Sequence, residues 1–256
     1  MIKNQELKNI LLEASKIIEK HFNSITDVQY KDDNSPVTIA DFETNEYLKK
    51  YLTTLLPEAG WLSEEDKDNN ERFNKEYIWV VDPLDGTKEF VARLPHIAIS
   101  VALVKNNQPI LGAIMNPITK EYGIGSIWDN VEFGGLSKKE APNDINKASI
   151  LVSRTEKEDN ELDKYLKVFP EMKIVGSVAY KLLRVASSQD DLYFSVYPKS
   201  EWDICAGIAL LNFLGKSYKR LDRQEILFNQ QSTKIKSGSI AGNLDLVESF
   251  LKEFNL

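Results

Sequence analysis

Two aspartates, three residues apart, close the densest β-forming run of the chain. The run is Trp79-Val80-Val81-Asp82-Pro83-Leu84-Asp85-Gly86-Thr87. A turn begun by Asp82, with Pro83 at its second position, would aim both carboxylates and the Leu84 carbonyl at one point. Hard oxygen donors gathered in that way suit Mg²⁺. Gly86 lets the backbone approach a ligand, and Gly86-Thr87 can open a helix whose free N–H groups favour a phosphate. The same residues also fit an Asx-type turn at a strand end, with Asp85 as an ordinary helix cap. Glu64-Glu65 follow the apolar Trp61-Leu62, which places them at a strand end one short loop before the aspartates. Adjacent acids are often only a solvated loop, but this placement lets the two strand ends be neighbours. Glu201-Trp202-Asp203 opens a helix. Asp203 reads either as its N-cap or as a ligand at the sheet edge where α/β folds bind. Asp41, near the start of an earlier helix, carries the same two readings. Asp41, Glu64, Glu65, Asp82, Asp85 and Asp203 account for most of the net charge of −7. Gathered without cations, they would repel and some would take up protons. Two or three Mg²⁺ would resolve this, as would scattering the acids over the surface.

Periodicity indicates the elements that must hold these residues. Leu7, Ile10, Leu11, Ala14, Ile17, Ile18 and Phe22 recur at the helical period. A polar loop from Asp27 to Pro36 follows, with Asp32-Asp33-Asn34-Ser35-Pro36 as its turn signal. A second helix, Ala40 to Leu56, has Leu48, Tyr51, Leu52 and Leu55 as its apolar stripe and Pro57 as its stop. Trp61-Leu62-Ser63 is extended. Tyr77 to Val81, too short for a helix and apolar on both faces, predicts a buried strand ending at Asp82-Pro83. Ile97–Val104, Ile110–Met115 and Tyr122–Trp128 turn at Asn106-Asn107, Asn116-Pro117 and Asp129-Asn130, an antiparallel meander. After Gly134-Gly135, strands alternate with helices. Ile150–Val152, Lys173–Val175 and Leu192–Tyr197 are the strands, and Glu158–Phe169, Val178–Ala186 and Asp203–Leu214 the helices. A last strand pair and a helix from Leu244 to Phe254 close the chain, the pattern of an α/β half. Residues 1–135 thus read as an N-terminal α+β half with the meander and metal loops, and 136–256 as a C-terminal α/β half. No flexible linker separates them, so they are expected to pack as one unit.

A 256-residue chain that is 42% hydrophobic can bury a substantial core, which argues against disorder. No apolar run approaches the ~18 residues of a membrane span. Met1 to Glu6 lacks the apolar stretch of a signal peptide, and Cys205 has no second cysteine to pair with. A cytoplasmic protein is expected, with peripheral membrane association left open. The acidic balance weighs against binding a nucleic acid polymer. His21 and His96 indicate neither a metal centre nor a Ser–His hydrolase. Trp61, Trp79 and Trp128 read as core, as does Cys205.

The motifs resemble those of the inositol monophosphatase superfamily of metal-dependent phosphatases. Trp79 to Thr87 is similar to its first signature. Trp202-Asp203-Ile204-Cys205-Ala206-Gly207 is similar to its second, W-D-x-x-A-G, and Ser63-Glu64-Glu65 to its acidic loop, all in the same order. Asp85-Gly86-Thr87-Lys88-Glu89-Phe90 resembles the D-G-T-K-E-F of CysQ-type 3′(2′),5′-bisphosphate nucleotidases. Ser35 to Asp41 and Val152-Ser153-Arg154 do so too. Asn212-Phe213-Leu214-Gly215 departs from the family's usual A-G-G, and Val178 to Lys181 matches loosely.

The resemblance implies an α+β fold, a layered α/β/α/β/α sugar-phosphatase-like sandwich. It assigns the metal ligands to Glu64, Asp82, the Leu84 carbonyl, Asp85 and Asp203, holding two or three Mg²⁺. Thr87 would hold the attacking water, Asp41 would accept from Thr87, and Glu64 would help deprotonate the water. Substrate contacts would fall on Glu64, Leu84, Asp85, Gly86, Thr87, Ser177, Lys181 and Asp203, with Arg154, Tyr197 and Lys199 as looser additions. The implied substrate is a small phosphorylated nucleotide, 3′-phosphoadenosine 5′-phosphate, cleaved to AMP and phosphate. Inositol monophosphate or another sugar phosphate is the alternative. A non-catalytic binding module fits less well, because every acidic position is present. A homodimer remains open.

Overall fold

The computed structural model describes residues 1–24, 28–32, 34–137, 142, 144–160 and 162–256. Asp27 and Asp33 of the expected polar loop lie outside the described residues.

Helix α1 (Asn4–Phe22) starts where Glu6 accepts the Lys3 N–H at 3.0 Å and ends with Lys20 and His21 in its last turn. Glu6 and Lys20 complement the helix dipole at its two ends. A short antiparallel pair forms here, β1 (Val28–Tyr30) within the stretch expected to be loop and β2 (Pro36–Thr38) starting at its last residue. Helix α2 (Ile39–Leu55) follows directly. Its buried face is Ala40, Asp41, Thr44, Asn45, Leu48 and Leu52. Tyr51, expected in that stripe, is exposed. The buried face is partly polar because it borders the site: the Ser63 hydroxyl donates to Asn45 at 2.7 Å.

The first sheet contains β3 (Gly60–Ser63) and β4 (Tyr77–Asp85). After the short α3 (Thr87–Val91) it continues through β5 (Ala98–Lys105), β6 (Gln108–Met115), β7 (Tyr122–Ser126) and β8 (Asp129–Gly134). The strands lie in that order, with β3 parallel to β4 and the rest antiparallel. Asn106 and Asn107 both take positive φ, as a tight hairpin turn requires. The last turn falls at Ile127-Trp128, because β8 already begins at Asp129. Strand β4 does not end at Asp82. Its ladder to β5 breaks after Asp82 and resumes at Asp85 opposite Ala98. Pro83 has no N–H to give and sits inside that break.

The second half holds β9 (Ser149–Val152), α4 (Arg154–Glu158), α5 (Asp163–Leu166), β10 (Glu171–Ile174) and α6 (Val178–Ala186). Then come β11 (Leu192–Ser195), β12 (Lys199–Ser200), α7 (Glu201–Phe213), β13 (Ser217–Arg220), β14 (Lys234–Ile235), β15 (Ser239–Gly242) and α8 (Leu244–Glu253). Of the single helix expected over Glu158–Phe169, the described residues are helical only at Glu158, where α4 ends, and in α5. Asn160 between them has φ of 58°, a left-handed value that asparagine tolerates but a helix does not. The second sheet has the order β10-β9-β11-β15-β13, parallel through the first three strands and antiparallel beyond.

Five layers result. Helices α1 and α2 cover one face of the first sheet through Leu7, Leu11, Leu48, Leu52 and Trp79. Helices α6 and α7 fill the space between the sheets, where Val80 and Ala102 of one and Leu151, Tyr193 and Ala241 of the other share a core with Leu182 and Leu210. Helix α8 covers the far face of the second sheet. Helix α7 lies so close to β6 that a Cβ on Gly112 would come within 2.4 Å of the Ala206 carbonyl. Among the described residues, no helix is long and apolar enough to cross a membrane.

Candidate metal centre

Parallel pairing brings two acids together. The Glu64 N–H donates to the Val81 carbonyl at 3.2 Å, so Glu64 leaves the end of β3 beside Asp82 on β4. Helix α7 enters from the other half with Asp203 in its first turn. One carboxylate oxygen each from Glu64, Asp82 and Asp203 then lies within 4.8 Å of the others. Asp82 is almost wholly buried. Its Oδ1 accepts the Leu84 N–H at 3.0 Å, while its Oδ2 is buried without a partner. An unpaired buried acceptor costs about 1–3 kcal/mol, and more when charged. Three carboxylates together with an orphaned buried oxygen therefore fit a hard divalent cation such as Mg²⁺. Burial, then repulsion from Glu64, Asp85 and Asp203, holds Asp82 well above the usual carboxylate range. Asp203 is raised likewise, by burial and then by Asp85 and Glu64.

Asp203 is not an N-cap. It is the third helical residue of a capping box, accepting the Ser200 N–H at 2.7 Å. Asp41 plays the same part in α2, accepting the Thr38 N–H at 2.8 Å and the Thr38 hydroxyl at 2.6 Å. In both places a helix start fixes one carboxylate oxygen and leaves the other for the site. For Asp41 the other oxygen, Oδ1, receives the Thr87 hydroxyl at 2.9 Å. Thr87 also lies 3.2 Å from the Leu84 carbonyl. Between Asp85 and Thr87, Gly86 has φ of 99°, and a Cβ there would come within 2.9 Å of the His96 carbonyl. Only glycine fits this position.

A cavity of about 460 Å³ is lined by Glu64, Leu84, Asp85, Gly86, Thr87 and Asp203, together with Ser177, Lys181 and Arg154. Asp85 is not one of the three carboxylates that lie within 4.8 Å of one another, though it is close enough to repel Asp82 and Asp203. Its Oδ2 accepts the Ser177 hydroxyl at 2.7 Å and the Ala179 N–H at 2.6 Å. Burial raises its carboxyl to about 6, with the Ser177 and Ala179 hydrogen bonds working against the rise. Ser177 thus holds Asp85. Lys181 is buried and donates to the Val175 carbonyl at 2.9 Å, and burial lowers its ammonium to about 8. Arg154 lies 3.4 Å from Glu89. Tyr197 and Lys199 are not among the lining residues. The Tyr197 hydroxyl donates to Asp159, and the Lys199 ammonium to the Tyr197 and Pro198 carbonyls.

Sequence reasoning missed Lys31. Its ammonium lies 2.8 Å from Glu64 and 2.7 Å from Glu65. Burial raises the Glu65 carboxyl to about 7, with Lys31 pulling it down. A single lysine in a polar loop carries no pattern that foretells this contact. His21 is hydrogen-bonded to Glu43 at 2.8 Å rather than freely solvated. Cys205 and Trp79 are buried as expected, whereas Trp61 and Trp128 lie at the core margin.

Five alternating layers with a carboxylate group at the ends of β3 and β4, completed by a helix from the opposite half, define a layered α+β protein with an acidic, metal-type centre. The chain belongs to the inositol monophosphatase family, whose model matches residues 4–252. Its curated relatives include the 3′(2′),5′-bisphosphate nucleotidase CysQ of Salmonella typhimurium. That protein is 36% identical over 186 residues, covering 70% of this chain and 74% of the relative. The enzyme of the same name from Aggregatibacter actinomycetemcomitans is 30% identical over 248 residues, covering 93% and 91%. Among solved structures, the extragenic suppressor protein suhB of Bartonella henselae superposes with a TM-score of 0.83. It is 20% identical, over 97% of this chain and 96% of that one. An inositol monophosphatase of Thermotoga maritima gives a TM-score of 0.81 at 20% identity, over 96% and 94%.

Proposed function

We propose that the chain is a Mg²⁺-dependent phosphomonoester hydrolase that removes the 3′-phosphate of 3′-phosphoadenosine 5′-phosphate, giving AMP and phosphate. The observation that carries the reading is the Thr87–Asp41 hydrogen bond beside the carboxylate trio. Relatives named 3′(2′),5′-bisphosphate nucleotidase support the choice of substrate. Glu64, Asp82, Asp203, Asp85 and the Leu84 carbonyl would hold two or three Mg²⁺. When bound, these ions would supply charge neutralisation for the phosphoryl group and a lowered pKa for water. Thr87, with its proton directed to Asp41, is left to accept from a water and so to orient it. Glu64 receives a proton from that water as the oxygen attacks phosphorus and the bond to the ribose 3′-oxygen breaks, the 3′-oxygen taking a proton from solvent to leave as the 3′-hydroxyl of AMP. The free backbone N–H groups at Gly86 and Thr87 face the phosphate. Of the three candidate cations Arg154 is the best placed for the 5′-phosphate: it and Lys181 both line the cavity, but Lys181 is buried with its ammonium on the Val175 carbonyl, and Lys199 lies off the lining.

Phosphate release from a side-by-side panel tests this reading. Turnover of the bisphosphate should vanish in chelator, return with Mg²⁺ and return poorly with Ca²⁺, whose looser coordination misplaces the water. Adenosine 3′-monophosphate should be roughly ten- to a hundred-fold poorer in kcat/KM, the loss of one charge-assisted contact. AMP should not be hydrolysed. Preference for inositol 1-phosphate would overturn the substrate and leave the metal chemistry standing.

A further inference from the structure

Two buried ionic residues, Arg72 and Glu201, have no part in the chemistry above. The peptide segment Asn229-Gln230 lies between them. Glu201 accepts the Asn229 N–H at 2.6 Å on one carboxylate oxygen and the Gln230 N–H at 2.9 Å on the other. Arg72 donates to the Asn229 side-chain oxygen and, at 2.8 Å, to the Gln230 carbonyl. Gln230 therefore gives its N–H to one charge and its carbonyl to the opposite one, an arrangement in which each hydrogen bond polarises the next. The remaining face of Arg72 is held by Asp68 at 2.8 Å.

The two ends of this chain of contacts sit on the two elements that bring the carboxylates together. Arg72 closes the acidic loop that begins at Glu64. It is also seated on β3 itself, since a Cβ on Gly60 would come within 2.9 Å of its Cα. Glu201 lies in the same first helical turn as Asp203, and its N–H is held by the Thr233 carbonyl at 2.8 Å. Glu64 and Asp203 are far apart in sequence and carry like charge, so nothing local keeps them within reach of one ion. We infer that Arg72 and Glu201 are positioning residues: their relay through Asn229-Gln230 locks the first turn of α7 to β3 and sets the affinity of the site for its divalent cation. The inference rests on the metal reading above. Partners that orient metal ligands without touching the ion typically change affinity by about ten- to a hundred-fold when removed.

The test is calorimetric titration of the chelator-stripped full-length chain with Mg²⁺, without substrate, alongside thermal melts in chelator. Glu201→Gln keeps the shape but turns an acceptor into a donor facing an N–H. Its dissociation constant should rise at least tenfold. Asn229→Gly removes one acceptor from Arg72 while keeping both charges, and glycine accepts the φ of 58° that Asn229 adopts, so the link is probed without added backbone strain. It should weaken Mg²⁺ in the same direction. Arg72→Met combined with Glu201→Gln should be little worse than Glu201→Gln alone, as members of one unit are non-additive. At saturating Mg²⁺, kcat should return to near the wild-type value. Melts that drop while every variant binds Mg²⁺ within twofold of wild type would overturn the inference and leave a merely structural contact. A wild-type chain that takes up no Mg²⁺ would instead sink the metal reading, and this inference with it.

Discussion

Thr87 and Asp41 separate positioning of water from holding of metal. Thr87→Ala should lower kcat roughly 10²-fold or more, with Mg²⁺ affinity little changed. Asp41→Asn should resemble it, and the double variant should be little worse than either, because one hydrogen bond of 2.9 Å joins them. Steady-state kinetics across a Mg²⁺ series decides; recovery of kcat at high Mg²⁺ would make Thr87 a support for the metal. The acids make a second prediction. Burial and mutual repulsion hold Asp82 and Asp203 well above their ordinary range, with Asp85 near 6 and Glu65 near 7. In the unfolded chain they titrate near 4. The folded, metal-free chain thus keeps protons that the unfolded chain has lost, so its stability falls as pH rises from about 4 through 7. Melts in chelator should show that fall, and the rise in Tm caused by Mg²⁺ should be larger at pH 8 than at pH 5. At this scale Glu64, Asp82 and Asp85 were legible because they follow apolar strands, and Asp41 and Asp203 because they stand at helix starts. Lys31 and Arg72 were not, because their partners are supplied by tertiary pairing.

Among the elements, the tight spots are glycines. Gly86→Ala would force a side chain into φ of 99° against the His96 carbonyl, at a cost of about 1–3 kcal/mol. It should also reduce turnover, since Asp85 and Thr87 flank it. Gly112→Ala would press on the Ala206 carbonyl and the Ala209 side chain of α7. It should cost about 1–3 kcal/mol, at roughly 2–4 °C in Tm per kcal/mol. Melting curves check both; an unchanged Gly112→Ala would mean that α7 can shift off β6 freely. The elements were readable where periodicity was strong, as in α1, α6 and the meander. They were misread where a local backbone event decided. The left-handed turn at Asn160 ends α4 where a helix was expected to begin, and the break around Pro83 carries β4 past its expected end. The β1–β2 pair has three residues in each strand, too few for alternation to show.

Across the whole molecule, the alternation of strands and helices announced layers but not the order of strands within them. The second sheet turns antiparallel at β15 and β13, a choice made by long-range pairing that no local run encodes. The expectation that the two halves pack as one unit did not say which residues would meet, as Leu151 and Val80 do in one core.

Helix α7 is wall to both sheets, and that has a consequence for how the molecule breathes. It cannot loosen by itself, because any opening would wet two faces at once. Amide protons of Ile208 to Leu211 should therefore exchange with deuterium only when the entire chain unfolds, at the free energy found by denaturant titration. The β1–β2 pair that carries Lys31 rests on few buried contacts and should exchange orders of magnitude sooner. Mass-resolved exchange would show the two rates directly, and early labelling of α7 would mean that the two sheets part before either unfolds. The carboxylate that α7 contributes should thus ride on the slowest-exchanging segment of the protein, and the lysine that neighbours Glu64 on one of the fastest.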